Sequence, residues 1–454
     1  MSVTGTKETM LSPPNMKRGV RRLSSVIATL DDLSLGPSVV VPPQHMEQPS
    51  DAHETAAALE MAKRHISRIS ANEPISTPTT PPATSTTDAY AFAFDIDGVL
   101  IRGGEAIPEA IEAMKILNGQ NQYGVKIPYI FVTNGGGKSE EERCLDLSRQ
   151  LHMEVSPGQF ICGHTPMREM AERYGTVLVV GGEGEKCRQV AEGYGFKDVC
   201  TPGDIIKDNV NTTPFRKLTK DEQEHSRKRN FGEVEIEAVF VFADSRDWAG
   251  DQQIILDLLM SKKGRLGTRS ETFDEGPPIF FSHNDMVWAT SHDHTRLGMG
   301  ALRASLEAVF KAMTKKEMKS TAFGKPQVGT FQFATRLLQQ WRKDVHGIDS
   351  PPQTVYFVGD TPESDIRGTN EFNESPLCEN TWYSILVRTG VFREGTKPGF
   401  TPMATVDNVL EAVKHGIQRE VAKAMKSQII DGNGEGPGVI LEEDQLQDAT
   451  ITDD

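Results

Sequence analysis

Ala91-Phe92-Ala93-Phe94-Asp95-Ile96-Asp97-Gly98-Val99-Leu100 carries an apolar run straight into two carboxylates spaced i, i+2, with a glycine behind them. A short unbroken apolar run closed by a turn residue suits a strand buried on both faces of a parallel sheet. Ligands of open α/β sheets sit beyond the carboxyl ends of the strands, and Asp95 and Asp97 fall there. Two acids so close repel each other and are costly to desolvate unless a cation or a reacting phosphate faces them. An ordinary Asp-Gly turn accounts for the stretch alone equally well, so the rest of the chain decides.

Downstream the pattern recurs. Pro108 opens a helix to Leu117. Tyr129-Ile130-Phe131-Val132 ends in Thr133-Asn134-Gly135-Gly136-Gly137, and Ser139 with Glu142 forms a capping box for a helix carrying Leu145, Leu147 and Leu151. Such a loop offers a hydroxyl and main-chain N–H groups to an anion, although a flexible connection also explains its glycines. A third strand ends near Phe160-Ile161-Cys162. Strand and helix then alternate again through Val177-Leu178-Val179-Val180, Phe196 to Val199, Ala238 to Phe242 and a helix over residues 251–260. The charged residues 204–233 read as an insertion loop. Ile279-Phe280-Phe281 leads into Ser282-His283-Asn284-Asp285, and a helix carries Leu302, Leu306 and Phe310. Phe323-Gly324-Lys325-Pro326 presents a lysine ahead of another helix. Val355-Tyr356-Phe357-Val358 enters Gly359-Asp360, with Asp365 close behind, and Ser384-Ile385-Leu386-Val387 is the last core strand expected.

The fold class expected is therefore α/β: a doubly wound parallel-sheet core, Rossmann-like, with a smaller α/β cap domain inserted. The boundaries read as a disordered tail over 1–88, core over 89–164, cap over 165–285, core again over 286–425, and a disordered acidic tail over 426–454. The formal net charge of -15 argues against a nucleic-acid surface. No apolar run reaches the roughly 20 residues of a membrane span. Five cysteines without CxxC spacing suit reduced thiols in a soluble intracellular protein, cytoplasmic or mitochondrial. Residues 16–23 are basic enough to suggest a mitochondrial presequence, while Glu8, Asp31 and Asp32 favour a plain polar tail. Residues 51–69 suit a transient amphipathic helix.

Asp95 and Asp97, Thr133 and Asn134, and Asp360 each follow an apolar strand, and Lys325 precedes a helix. If the strands are neighbours, these groups meet in one crevice. Phosphoryl transfer through an aspartyl phosphate needs such a set: a carboxylate attacks phosphorus, while a cation, a lysine and N–H donors neutralise the equatorial oxygens. Mg²⁺ suits hard oxygen ligands of this kind.

Taken in order, Asp95-Ile96-Asp97-Gly98, Thr133-Asn134, Lys325 and Gly359-Asp360 with Asp365 resemble the four motifs of the haloacid dehalogenase superfamily. The inserted domain resembles the class IIA cap, and the second and fourth motifs resemble those of the cat eye syndrome critical region protein five branch. The resemblance covers residues 90–415. It implies Asp95 as nucleophile and Mg²⁺ ligand, and Asp97 as proton donor and then base, its carbonyl reaching the metal. It further implies Gly98, Thr133 and the backbone around Asn134 at the phosphate, Lys325 as counter-charge, Asp360 on the metal, and Asp365 ligating or orienting. Asn134-Gly135 departs from the Thr-Asn-Asn common in class IIA. The function implied is a Mg²⁺-dependent phosphatase acting on a small phosphorylated metabolite, with a homo-oligomer through the cap compatible. The alternative is a vestigial scaffold protein of the same fold, which the branch links to mitochondrial glycerophospholipid metabolism. A dehalogenase would not need Asp97 or the metal pair, and an ion-pumping ATPase would need membrane spans.

Three further features carry less weight. Ser291-His292-Asp293-His294 reads as a solvated loop more readily than as a metal cluster. Gly298 and Gly300 match a glycine loop near the substrate in class IIA relatives. Trp248 and His164 are candidates for the cap–core cleft, with core packing the safer reading for the tryptophan.

Overall fold

The computed structural model describes residues 86–431, with side chains from 88 to 425. The basic stretch at 16–23, the segment 51–69 and nearly all of both expected tails lie outside the described residues. At the two margins the tails are shorter than expected: a 3-10 turn spans Thr86–Ala89 and the last helix continues to Asp431.

The core starts with β1 (Tyr90–Phe94), α1 (Pro108–Leu117), β2 (Tyr129–Val132), α2 (Glu140–Leu151) and β3 (Phe160–Ile161). A second sheet follows, with β4 (Thr176–Val180), α3 (Lys186–Gly193), β5 (Asp198–Cys200), β6 (Ala238–Val241), α4 (Trp248–Leu259), β7 (Ile279–Phe281), α5 (Met299–Thr314) and β8 (Ser320–Ala322). The chain returns to the first sheet through α6 (Val328–His346), β9 (Thr354–Gly359), α7 (Arg367–Glu374), β10 (Thr381–Val387), β11 (Ala404–Val406) and α8 (Val409–Asp431).

The core sheet has the order β11-β10-β9-β1-β2-β3 and is parallel throughout. Its first strand has no polar face because both faces are covered. Phe92 and Phe94 pack with α1, α2 and α8 residues such as Met114, Leu147 and Val413. Ala91 and Ala93 pack with Phe331 and Leu338 of α6 and Phe372 of α7. Burying each phenylalanine contributes roughly 1.5–3 kcal/mol, so the run can occupy a central strand and nowhere else at so little cost. β11 is an edge strand of three residues, too short to announce itself in the sequence.

The smaller sheet, ordered β8-β7-β6-β4-β5, is also parallel. Here the expected boundary moves. Leu302, Leu306 and Phe310 of α5 share a buried cluster with Ile254, Ile255 and Leu258 of α4, and β8 pairs with β7. Residues 299–322 therefore pack with the cap, not with the second part of the core, and the chain crosses back at Phe323-Gly324-Lys325. The charged segment 204–233 is not a bare loop: it holds the end of a short helix, Pro202–Asp208, and another, Lys220–His225, with Thr219 and Glu222 as a capping box. Trp248 packs against the apolar cluster of α4 and α5.

Candidate active site

Strand register brings the expected residues together. Phe94 lies opposite Phe131 on one side and Val358 on the other. Asp95, Thr133 and Asp360 therefore leave adjacent strands at one edge of the sheet. The Asp95 N–H still donates to the Val358 carbonyl at 2.9 Å and the Thr133 N–H to Ile161 at 3.0 Å, so both side chains start from ladder-held backbone. A cleft of about 580 Å³ opens here between the two sheets, lined on the core side by Asp95, Asp97, Thr133, Lys325 and Asp360.

Lys325, 1% exposed, is the hub. Its Nζ donates to Asp95 Oδ1 at 2.6 Å and lies 2.7 Å from Asp365 Oδ1. Burial works against its charge, but Asp365 and Asp95 outweigh burial and push the ammonium above its ordinary value. Burial pushes the Asp95 carboxyl well above the usual carboxylate range; Lys325 opposes the shift, and Asp365 and Asp360 add to it. Asp360 is pushed up to about 7, by burial first and then by Asp365. Its Oδ2 accepts the Val391 N–H at 2.7 Å and its Oδ1 the Thr361 hydroxyl at 3.1 Å.

Oxygens of Asp95, Asp360 and Asp365 lie within 4.8 Å of one another. Three buried carboxyls share one ammonium; a hard divalent cation would offset the burial that disfavours their ionised forms, and the all-oxygen donor set fits such an ion. Asp365 is the most committed of the three. Its Oδ2 accepts the N–H groups of Asp360 and Thr361, both at 3.0 Å, while Oδ1 faces Lys325. Of its two expected roles, orienting fits these contacts better than ligation. Asp97 is 37% exposed at its side chain, and the guanidinium of Arg143 lies 3.6 Å away.

Gly98 and Asn134, both expected at the phosphate, have partners within the fold. The Gly98 N–H donates to the Ile101 carbonyl at 2.8 Å, closing its own turn, and so is not turned to a phosphate. Gly98 instead makes room: its φ is +94°, and a Cβ there would lie 2.2 Å from Asp360 Oδ2. For Asn134 the expectation concerned its backbone; its side chain is engaged elsewhere. Its Oδ1 accepts the Lys325 N–H at 2.7 Å, and its Nδ2 donates to the Lys325 carbonyl at 3.0 Å and to Asp285 Oδ2 at 2.9 Å. Asn134 is thus a clamp on the lysine's main chain. Thr133 Oγ1 accepts the Gly135 N–H at 2.9 Å and keeps its own proton to donate.

Sequence reasoning missed Asp285 and Arg143, which both line the cleft. Asp285 lies in the polar segment four residues past the end of β7, which was its one signal; Arg143 lay hidden inside a capped helix. Neither Trp248 nor His164 lines the cleft; cap residues Asp244, Arg246, His283 and Trp288 do. His164 is wholly buried, its Nδ1 2.7 Å from the Tyr194 hydroxyl and its Nε2 3.1 Å from the Lys138 carbonyl. The 291–294 tract is exposed, with His292 Nδ1 accepting the His294 N–H at 2.9 Å. Gly298 and Gly300 do not line the cleft either; the Gly300 N–H donates to the Asp285 carbonyl at 2.9 Å, so they bear on it through Asp285.

With this cluster on a doubly wound core, residues 92–197 match the family described as haloacid dehalogenase-like hydrolase, and residues 322–412 match a second description of HAD-like hydrolases. The chain belongs to the haloacid dehalogenase-like hydrolases. It is 37% identical over 358 residues to a mitochondrial hydrolase of Saccharomyces cerevisiae, covering 74% of this chain and 97% of that protein. It is 40% identical over 336 residues, 73% of this chain, to a cardiolipin synthase (CMP-forming) / mitochondrial hydrolase fusion protein of Schizosaccharomyces pombe, and spans 54% of that relative's length. A solved p-nitrophenyl phosphatase from Archaeoglobus fulgidus aligns at a TM-score of 0.45 and 18% identity, over 72% of this chain and 98% of that one. No helix among the described residues is long and apolar enough to cross a membrane.

Proposed function

We propose that the protein is a Mg²⁺-dependent phosphatase that hydrolyses a small phosphorylated metabolite through an aspartyl phosphate at Asp95. The observation that carries this reading is the buried ammonium of Lys325 held between Asp95 and Asp365 beside Asp360, at the floor of a cleft. A structural ion pair alone would not need a third buried acid, which is costly without a cation.

In the first half-reaction a carboxylate oxygen of Asp95 forms a bond to phosphorus as the ester P–O bond breaks. Asp97, the one acid of the set reachable from solvent, gives its proton to the departing oxygen. In the second, Asp97 takes a proton from water, the water oxygen bonds to phosphorus, and the Asp95 carboxylate is released with inorganic phosphate. Lys325 and the Thr133 hydroxyl offset charge on the phosphoryl oxygens throughout. Mg²⁺ would be held by Asp95, Asp360 and the Asp97 carbonyl, with Asp365 orienting, and when bound supplies charge neutralisation at the phosphate. The cap side of the cleft limits the size of what enters and excludes water. We extend to this chain the mitochondrial location named for both relatives; recovery of the protein outside mitochondria on fractionation overturns that extension.

The test uses the full chain with p-nitrophenyl phosphate and a panel of phosphorylated metabolites. Turnover is expected with Mg²⁺, lost with EDTA and restored by added Mg²⁺, and Asp95→Asn is expected to be inactive while melting within a few degrees of wild type. Turnover that survives either EDTA or Asp95→Asn rejects the mechanism.

A further inference from the structure

We propose that Arg143 is a further catalytic residue, whose guanidinium binds the phosphoryl group of the substrate through space that Gly135 leaves open. The inference rests on the phosphatase reading above. Ser139 caps α2, and the Arg143 N–H donates to the Ser139 carbonyl at 3.0 Å, which fixes the backbone of this residue in the opening turns of α2. Helical side chains lean toward the N-terminus, and Arg143 accordingly reaches back to the loop that follows β2 and lines the cleft. Its Nη2 lies 3.6 Å from Asp97 Oδ2, longer than a charge-assisted hydrogen bond. Its Nε is buried without a hydrogen-bond partner. Asp97 therefore leaves the planar fork of donors unsatisfied, and such a fork matches a phosphate in two-pronged geometry.

Gly135 marks where the anion fits. It is not among the glycines with positive φ, so its backbone does not demand glycine. A Cβ built there would lie 3.1 Å from Asp97 Oδ2, 3.2 Å from Thr133 Oγ1 and 3.8 Å from Arg143 Nη2. One point in the cleft wall is thus ringed by the proposed acid, the proposed phosphoryl-binding hydroxyl and a guanidinium. A side chain at position 135 would plug it.

The experiment compares wild type with Arg143→Ala, Arg143→Lys and Gly135→Ala, all as full chains with Mg²⁺. Two readouts are used: kcat and KM on p-nitrophenyl phosphate, and the affinity for inorganic phosphate by calorimetry, which requires no turnover. Arg143→Ala is expected to lower kcat/KM by about 10²-fold, as for removal of one oxyanion donor, and to weaken phosphate binding roughly tenfold. Arg143→Lys, which keeps the charge and loses the fork, should fall between, and Gly135→Ala should lower kcat/KM with Arg143 intact. Thermal unfolding within a few degrees of wild type separates these effects from misfolding, and Arg143→Lys serves should Arg143→Ala not fold. Phosphate affinity and kcat/KM within about twofold of wild type in the arginine variants overturn the inference. Weakened phosphate binding in a protein without turnover leaves the anion contact standing and removes the phosphatase reading instead.

Discussion

Asn134 both donates to and accepts from the main chain of Lys325, and Asp285 on the cap side accepts its remaining amide proton. The lysine's ammonium is therefore aimed by a residue that never touches it. Asn134→Ala leaves the buried Lys325 N–H and carbonyl without these partners, at about 1–3 kcal/mol for each orphaned group. The unfolding midpoint in urea should drop accordingly, and kcat should fall much further than KM rises. An unchanged midpoint together with unchanged kcat removes the clamp. Residue identity alone could not reveal this use of Asn134, because its partners stand 151 and 191 positions away. Asp95 and Thr133 were legible because each stands directly after an unbroken apolar strand, where little besides the sheet's carboxyl edge can lie.

At the scale of elements, α5 is the instructive case. Its apolar stripe at Leu302, Leu306 and Phe310 fits any helix with one buried face, and nothing in that period says which sheet it covers. Pairing of β8 with β7 and the shared cluster with α4 assign it to the cap. Leu302 is fully buried in that cluster, so Leu302→Ala should cost about 2–5 kcal/mol in chemical denaturation. A loss below about 1 kcal/mol would mean that the helix is not packed on the cap as described. β1 was readable for the opposite reason: burial on both faces forces a continuous apolar run, a stronger constraint than a stripe.

For the whole molecule, stability depends on acids buried away from the cleft as well as in it. Burial pushes the Asp251 carboxyl up to about 6, with the Ser245 hydroxyl and Arg216 opposing. Below the ordinary carboxylate value both folded and unfolded states hold this proton, and its contribution is fully present. As pH rises the unfolded chain ionises first, so stability declines until the folded group ionises near 6, and then levels off. The difference of roughly two units corresponds to about 3 kcal/mol. Asp251→Asn should retain that amount between pH 4 and 7 relative to wild type, read as the difference between the two stability curves. The net charge of -15 changes by a single unit on substitution, so the rest of the charge cancels and the difference isolates one carboxyl. Parallel curves for the two would show that Asp251 ionises normally.

The sequence by itself determined the central strands, the parallel doubly wound class, which strand ends carry acids and a threonine, and the lysine ahead of a helix. Those features follow from local rules: burial on two faces, helix caps, and the placing of ligands beyond carboxyl ends. Only the tertiary structure decided where the cap ends, that the Gly98 N–H is spent on Ile101, and that Asn134 holds Lys325. It also decided that Asp285 and Arg143 reach the same cleft. Each of these depends on which distant backbone atoms a side chain meets, and a hydrogen bond made across the fold leaves no period or spacing in the chain for a reader to find.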